Sequence, residues 1–333
     1  MNIDGSPSWP DRRHVLAGMC AAFALPRAAY AQQKTARVGV LLLGSPVRGR
    51  DLALASELSR LGYDEGRNVT FEIRAAQGDL NTLPALANEL MAARPDVLVS
   101  ASTAAAQALA AATSQIPIVV TVTVDPIAAG LSDSMARPSR NVTGFTSSTP
   151  ALVAKRLELL HQVVPGLKRV AHFTGADGAG YQVFDSHIQT AAATLGSSVV
   201  TIPIAAPGAN AVAEAFTVAD REKTQAVLVG VSPAMTRMSS HIIDECLVRN
   251  LPAIHPWSFE VRAGALMSYG PAGVENHAGA ARYIDRLLKG AAVSTLPFEE
   301  PTEIRLAINL RTARSLAVAI PTTVLARADE VVE

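Results

Sequence analysis

Hydrophobic and polar positions after residue 35 form two alternating kinds of segment. Segments rich in β-branched residues predict strands at 36–43, 68–74, 96–100 and 116–124. The first is a continuous apolar run, typical of a strand buried on both faces of a parallel sheet. Segments with apolar residues at helical spacing predict helices between them, at 51–61, 83–93 and 103–113. This order of elements predicts an α/β lobe with right-handed crossovers between parallel strands.

The same order of elements begins again at Lys168. Strands are predicted at 169–173, 198–204, 226–231 and 253–255, and helices at 181–195, 211–219 and 234–250. Equivalent strands lie at similar intervals, since the distance along the chain from Val38 to Val69 resembles that from Val170 to Val199. The sequence therefore predicts two Rossmann-like α/β lobes with parallel sheets.

Further elements follow the second lobe, namely a helix over 275–288 and a strand over 304–309. Residues 141–149 are predicted to be an extended polar link between the lobes, and 296–302 a proline-bounded link. We therefore expect a hinge that the chain crosses more than once. The predicted division joins 32–145 and 272–297 in lobe 1, and 146–271 and 302–333 in lobe 2.

The first 31 residues predict an export signal. Arg12 and Arg13 precede an apolar segment at 15–25, and the small residues Ala29 and Ala31 suit a signal peptidase. That segment is shorter than the roughly 20 residues that span a bilayer. We expect cleavage after Ala31 and a periplasmic protein, exported by the twin-arginine route or the Sec route.

Composition narrows the function classes. The chain has 333 residues, of which 49% are hydrophobic and 17% charged, so it can bury one large core or two ordinary ones. Its 29 basic and 29 acidic side chains cancel, which argues against a nucleic-acid partner. Removal of the leader would leave Cys246 as the single cysteine, which we expect to be a buried apolar residue.

A binding site is expected where the strands end, because open parallel sheets bind ligands outside the carboxyl ends of their strands. Small hydroxyl residues, one carboxylate and several aromatic rings fall there. On the first lobe the candidates are Ser45, Ser100, Ser102, Thr103, Thr123 and Asp125, and on the second they are Tyr181, Ser232, Trp257 and Tyr269.

These candidates fit a small polar ligand with an apolar part. Hydroxyls and helix N-terminal amides around Ser102 would hold a carboxylate, and Asp125 would bind an ammonium group. The aromatic rings would pack on a planar or apolar portion, so the set fits an α-amino acid, plausibly aromatic or branched. Two alternatives stay open: Asp125 as a turn residue, and Trp257 and Tyr269 as core residues.

No catalytic or cofactor motif is found in the sequence. It contains no G-x-S-x-G, no P-loop lysine motif, no H-E-x-x-H and no C-x-x-C, so we expect no cofactor, no metal and no enzyme activity. One alternative is a periplasmic hydrolase-like enzyme with Ser232 or Ser102 as nucleophile and His255 as base. Another is a ligand-sensing subunit of a receptor.

Many short motifs resemble one known family. They are LGYDEGRNV (61–69), LPALANEL (83–90), IPIV (116–119), DPIAAGL (125–131), RPSRNVTG (137–144), KRLELL (155–160), LPFEEPTE (296–303), INLRTA (308–313) and IPTTVLARADEV (320–331). Together they resemble the ABC-transporter substrate-binding family that includes tryptophan-binding and tyrosine-binding members. The resemblance covers essentially the whole chain after the leader.

The resemblance implies a periplasmic-binding-protein fold of the first type, with two lobes, three hinge crossings and a ligand trapped between them. It also implies delivery of a small molecule to an inner-membrane permease and its ATPase. We expect the protein to be a monomer. In this family the cleft positions correspond to the loops after Leu43, Val99, Val122, Phe173, Gly230 and His255, which agrees with the strand-end candidates.

Overall fold

The computed structural model describes Met1, residues 35–45, Gly49, and residues 53–147, 149–175, 182–204, 208–272 and 276–333. All the strands and helices below belong to the compact unit Ala36–Glu333. Apart from Met1, the predicted leader over 1–31 lies outside the described residues. Within the described ranges, no helix has both the length and the apolar character needed to cross a membrane.

The first sheet is entirely parallel. Its strands are β1 (Ala36–Leu42), β2 (Val69–Ala75), β3 (Val97–Ser100), β4 (Ile118–Thr123) and β5 (Val142–Thr146). They lie in the order β2-β1-β3-β4-β5. Since every neighbouring pair is parallel, the carboxyl ends of all five strands meet at one edge of the sheet.

The second sheet is larger and mostly parallel. Its strands are β6 (Arg169–Gly175), β7 (Ser198–Ile204), β8 (Ala226–Val229), β9 (Ala253–His255), β10 (Met267–Pro271), β11 (Ile304–Asn309) and β12 (Glu330–Val332). Their order is β12-β11-β10-β9-β8-β6-β7. Only the pair β10 and β11 is antiparallel among these strands. The strands β6, β8 and β9 therefore end at a common edge, as those of the first sheet do.

Helices cover both faces of each sheet. The described helices are α1 (Ala53–Arg60), α2 (Leu83–Ala92), α3 (Thr103–Ala112), α4 (Pro150–Val163), α5 (Gln182–Thr194), α6 (Ala209–Arg221), α7 (Pro233–Val248), α8 (Ser258–Arg262), α9 (His277–Leu288), α10 (Leu310–Ser315) and α11 (Thr322–Leu325), with 3₁₀ turns at Leu80–Thr82 and Val293–Thr295.

The packing of these helices makes each lobe a three-layer sandwich. On the first sheet, α1 and α9 bury one face and α2 and α3 bury the other. On the second sheet, α4 and α5 share a core with α10 and α11, while α6 and α7 cover the opposite face. The central strands β3 (VLVS) and β8 (AVLV) are buried at every position because both of their faces are covered. Cys246 is buried in this packing, as predicted.

The chain passes between the two sheets three times. It leaves the first sheet after Thr146, returns from the second after Pro271 to form α9, and enters the second sheet again at Ile304. A bridge between Phe145 and Glu299 ties two of these passages together. Three short passages allow hinge bending while keeping the lobes joined.

One sequence prediction about the fold is wrong. Residues 141–149 are not an extended link, because Val142–Thr146 forms the fully buried fifth strand of the first sheet. A polar side chain can be buried in this strand because it forms a hydrogen bond there. The Thr143 hydroxyl donates to the Leu296 carbonyl at 2.7 Å. By contrast, the strands predicted at 198–204, 253–255 and 304–309 have the bounds observed.

Candidate functional site

A cavity of about 470 Å³ lies between the strand ends of the two sheets. From the first lobe it is lined by residues that end or follow β1, β3 and β4, together with Ser147. From the second lobe it is lined by residues after β8, by the first turns of α7, and by Trp257 after β9. Both lobes therefore line one cleft, at the edge where ligands of such sheets bind.

The N-terminus of α3 presents backbone donors to this cavity. Ser102 caps the helix, because its hydroxyl accepts the N–H of Ala105 at 3.2 Å and its carbonyl accepts that of Ala106 at 3.0 Å. The helix itself gives no acceptor to the N–H groups of Thr103 and Ala104, and both residues line the cavity. These donors and the helix dipole favour an anionic group.

Thr123, the last residue of β4, lies beside this helix start. Its hydroxyl oxygen is 2.9 Å from that of Thr103, and only 1% of its surface is exposed. Its carbonyl accepts the N–H of Ser147 at 2.8 Å and the Ser147 hydroxyl at 3.3 Å. The three hydroxyl residues form one connected polar wall of the cavity.

The facing wall comes from the start of α7. The Ser232 hydroxyl caps this helix by accepting the N–H of Met235 at 3.2 Å, and the Ser232 carbonyl accepts the hydroxyl of Thr236 at 3.2 Å. Arg237 follows and is exposed at the cavity. It is the one charged side chain among the described residues that line this space, so the electrostatic balance of the cavity favours a negative ligand group.

Trp257 forms the apolar part of the same wall. It is 2% exposed, and its backbone N–H donates to a carboxylate oxygen of Glu260 at 3.2 Å. No described residue accepts a hydrogen bond from its indole N–H. Aliphatic residues complete the apolar lining, namely Leu42, Leu43, Val122, Val124 and Val231.

The predicted residues divide into two groups. Ser45, Ser102, Thr103, Thr123, Ser232 and Trp257 line the cavity. Ser100 is fully buried and shapes the loop instead, since its hydroxyl donates to the Ser102 carbonyl at 2.7 Å. Tyr181 lies outside the described residues.

Asp125 and Tyr269 do not reach the described cavity lining. One carboxylate oxygen of Asp125 accepts the N–H groups of Ile127 at 2.9 Å and Ala128 at 3.0 Å, which is the turn geometry typical of Asp. Tyr269 lies in β10, where its carbonyl accepts the side-chain Nε–H of Arg156 at 2.7 Å. The Asp125 carboxylate is thus used in a turn, and Tyr269 packs against the core of the second lobe. Ligand binding by these two residues stays a prediction.

Of the three residues in the hydrolase alternative, Ser102 and Ser232 line the cavity and His255 does not. His255 is fully buried, with its Nδ1 at 3.4 Å from a Glu260 carboxylate oxygen. The hydroxyls of Ser102 and Ser232 accept backbone N–H groups in the two helix caps. In the part of the chain that the structure describes, no cluster of three or more His, Cys, Asp or Glu residues could hold a metal ion.

Four lining residues of importance were not predicted: Val122, Ser147, Thr236 and Arg237. A partial signal for two of them exists in the sequence. Thr236 and Arg237 lie about one turn after Ser232, which caps the helix. Because a helix that follows a parallel strand begins near the carboxyl end of that strand, residues in its first two turns are expected near the binding site. Ser147 gave no such signal, because its position depends on β5.

Comparison with known proteins finds relatives both in sequence and in structure. A tyrosine-binding protein from Clostridioides difficile (strain R20291) is 35% identical over 109 residues, which is 33% of this chain and 31% of that protein. A solved conserved domain protein from Vibrio cholerae is 27% identical, with a TM-score of 0.81, and the match covers 90% of this chain and 100% of that one.

A second solved structure has the same fold. It is an ABC domain in complex with L-Trp from Streptococcus pneumoniae, 24% identical, with a TM-score of 0.79 and coverage of 90% of this chain and 100% of that one. The predicted fold class, two α/β lobes of the type I periplasmic binding fold, is confirmed. The model of the ABC transporter substrate binding protein family matches residues 52–332, so the chain belongs to that family, as its motifs predicted.

Proposed function

We propose that this protein captures an amino acid with an aromatic or branched side chain and delivers it to a membrane permease that works with an ATPase. The observation that carries the proposal is the cavity of about 470 Å³ lined by strand ends of both lobes. We further propose that it acts as a monomer in the periplasm, after removal of the leader, and that it has no catalytic activity.

Closure of the two lobes follows from this arrangement. A ligand that touches the Ser102–Thr123 side and the Ser232–Trp257 side at once gains both sets of contacts only when the lobes are together. Because a ligand shifts an equilibrium by its difference in affinity for two states, these contacts favour the closed form. The closed surface formed by both lobes is then what the permease would recognise.

The lining supports a carboxylate more directly than an ammonium group. The N–H groups of Thr103 and Ala104 and the guanidinium of Arg237 are donors for a carboxylate. No acidic side chain lines the cavity among the described residues, so we assign the ammonium group to oxygen acceptors such as the hydroxyls of Thr103 and Ser147. Trp257 and the aliphatic residues would enclose the ligand's apolar part.

The test is a melting-temperature screen of the purified protein. The panel contains common amino acids, the matching carboxylic acids without an amino group, the matching amides without a free carboxylate, and small sugars. A ligand that binds only the folded form at a hundredfold excess over its Kd stabilises it by about 2.7 kcal/mol. We expect shifts with one or more amino acids and none with their amides.

Tryptophan fluorescence gives an independent reading of the same site. The sequence has two tryptophans, Trp9 in the predicted leader and Trp257 in the cavity wall. A ligand that raises the melting temperature should change the emission of Trp257, and Trp257→Phe should remove the change. If only the carboxylic acids stabilised the protein, its ligand would be a carboxylic acid without an amino group, and the amino-acid proposal would be wrong. It would also be wrong if only sugars stabilised the protein.

A further inference from the structure

Trp257 is the one aromatic residue among the described residues that line the cavity between the lobes. It is 2% exposed, and it stands between β9, which ends at His255, and the five-residue helix α8, which begins at Ser258. A helix this short is not stable by itself. Contacts with the rest of the second lobe must therefore fix the start of α8, and with it the indole ring.

Glu260 joins the first turn of α8 to Trp257. Its carboxylate accepts the backbone N–H of Trp257 at 3.2 Å, and its own backbone N–H donates to the Trp257 carbonyl at 3.2 Å. This is the capping arrangement in which the third residue of a helix bonds back to the residue before the helix. Glutamates seldom lie fully buried unless they are paired, yet Glu260 is 1% exposed. Its carboxylate therefore needs partners inside the lobe.

Two buried side chains accompany the Glu260 carboxylate. His255 is fully buried, and its Nδ1 lies 3.4 Å from a carboxylate oxygen. Arg156 is 1% exposed and supplies the balancing positive charge, since burial lowers the pKa of Arg156 to about 10 and the negative charge of Glu260 opposes that shift. Because His255 belongs to β9 and Arg156 to α4, the carboxylate is tied to the sheet and to a second helix as well as to its own.

Arg156 also holds the strand on which the Trp257 loop packs. Its Nε donates to the Tyr269 carbonyl in β10 at 2.7 Å. At the next residue, Gly270, an added Cβ would lie 2.1 Å from the Pro256 carbonyl oxygen and 3.6 Å from Nη2 of Arg156. The loop that carries Trp257 thus packs directly against β10, and the same arginine binds both that strand and the charge of the capping glutamate.

Stability alone does not account for this set of residues. In the described part of the chain, Nη2 of Arg156 and Oε1 of Glu260 have no hydrogen-bond partner. Buried charges with incomplete pairing lose more in desolvation than they regain from each other, and apolar residues of similar volume are often as stable or more so. What the charged set provides and an apolar set would not is a fixed acceptor for the Trp257 N–H.

We propose that Glu260 is a positioning residue of the ligand site, which holds Trp257 in the cavity wall with Arg156 as its buried counter-charge. The inference deepens the proposed function, and it rests on that function for the contact between the ring and the ligand. The position of the ring itself can be measured without a ligand, so the two can fail separately.

The first experiment measures the environment of the ring in the ligand-free protein. In the full chain with Trp9→Phe, Trp257 is the one remaining tryptophan, so emission and acrylamide quenching report on it alone. Glu260→Met removes the acceptor, and Arg156→Met/Glu260→Met also removes the charge left unbalanced. We expect the double variant to regain stability that Glu260→Met loses. In both variants the emission should shift to longer wavelength and acrylamide should quench more strongly, because the ring is no longer held in the wall.

Two further variants make the result specific to the acceptor. Glu260→Gln keeps an oxygen that can accept the Trp257 N–H, so we expect its emission to stay close to that of the unaltered residue. Glu245→Met is the matched control, because it removes a glutamate that pairs with Arg249 at 2.8 Å in the same lobe, away from the cavity. Its emission should be unchanged. Unchanged emission and quenching in Arg156→Met/Glu260→Met would overturn the proposal.

Hydrogen exchange of the unaltered protein gives an answer that does not depend on the folding of any variant. The backbone N–H of Trp257, bonded to a buried carboxylate, should be strongly protected. Exchange as fast as that of an exposed loop amide would overturn the proposal, since Glu260 would then not hold this N–H.

Calorimetric titration connects the position of Trp257 to binding. The probes are L-phenylalanine and L-leucine, one aromatic and one branched. We expect Arg156→Met/Glu260→Met to weaken binding of a probe by about fivefold or more, and to have little further effect once Trp257→Ala is present. An equal loss with and without Trp257→Ala would overturn the proposal. Binding of neither probe by the unaltered protein would contradict the proposed function, whereas emission and hydrogen exchange would still decide the role of Glu260.

Discussion

The hydroxyl oxygens of Thr103 and Thr123 lie 2.9 Å apart and join the first residue of α3 to the last residue of β4. Both residues line the cavity between the lobes. The bond holds the helix N-terminus against the strand end, and with it the free N–H groups of the first helical turn. The donors that we assign to the ligand are therefore positioned before the ligand arrives.

We predict that Thr103→Val and Thr123→Val each reduce ligand affinity and stability. Each change removes one hydroxyl and leaves its partner without this hydrogen bond, at a cost of about 1 kcal/mol in the free energy of unfolding. Because both variants break the same bond, the double variant should lose less than the sum of the two single losses. Urea unfolding and calorimetric titration of the four proteins measure this coupling.

The matched control is Thr217→Val on the exposed surface of α6, where the hydroxyl donates to the Ala213 carbonyl at 2.9 Å. Its combination with Thr123→Val should be additive, since the two sites share no partner. Additive losses for the Thr103 and Thr123 pair would show that the 2.9 Å contact contributes nothing to either property.

Local signals explain the candidate residues that line the cavity. Ser102 and Ser232 stand two or three residues after the ends of apolar strands and directly before helices, and Ser is a strong helix-capping residue. A capped helix after a parallel strand starts at the strand's carboxyl end, so both the element and its place at the site follow from a few residues. Thr123 is the last residue of β4, so it too lies at the carboxyl end of a parallel strand.

Other features depend on contacts far away in sequence. The polar composition of β5 is typical of a link. It is compatible with a buried strand because the Thr143 hydroxyl donates a hydrogen bond to the carbonyl of Leu296, 153 residues later. The helix α4, which contains Arg156, was not predicted from the periodicity of the sequence. The burial of Arg156, which is 1% exposed, depends on the packing of this helix in the second lobe. Asp125 shows the opposite effect, since a purely local turn uses its carboxylate.

We predict that Gly279→Ala destabilises the first lobe, although alanine is the better helix former. An added Cβ would lie 2.5 Å from two ring atoms of Phe145 and 2.7 Å from the Asn276 side-chain oxygen. Phe145 is 2% exposed and packs against Tyr283 with ring centroids 5.0 Å apart, so its ring has little room to move. We expect a net loss of about 1–3 kcal/mol in the free energy of unfolding, measured in urea.

The comparison for this variant is Gly44→Ala. A Cβ added at Gly44 meets nothing within 4 Å, and its backbone is not in the left-handed region. We expect its free energy of unfolding to stay within about 0.5 kcal/mol of that of the unaltered protein. If Gly279→Ala were as stable as Gly44→Ala, the close approach of α9 to Phe145 would not exist in solution.

Our last prediction concerns His161 in α4 and the pH dependence of stability. Burial lowers the pKa of His161, with the positive charge of Lys168 as a smaller cause, and its Nε2 lies 2.8 Å from the Ser197 hydroxyl. The unfolded chain, with a histidine pKa of about 6.5, therefore binds more protons near and below that pH than the folded protein does. The stability from neutral His161 is present above this value and is lost as the pH falls through it.

His161→Gln should make the decline of the free energy of unfolding between roughly pH 7 and 5 shallower, because glutamine does not titrate there. The control is Ser240→Ala, at an exposed position of α7, which involves no group that titrates in this range and should leave the slope as it is. Urea unfolding at a series of pH values measures both. An unchanged slope in His161→Gln would mean that the imidazole is as easily protonated in the folded protein as in the unfolded chain, which its burial against Ser197 and its proximity to Lys168 oppose.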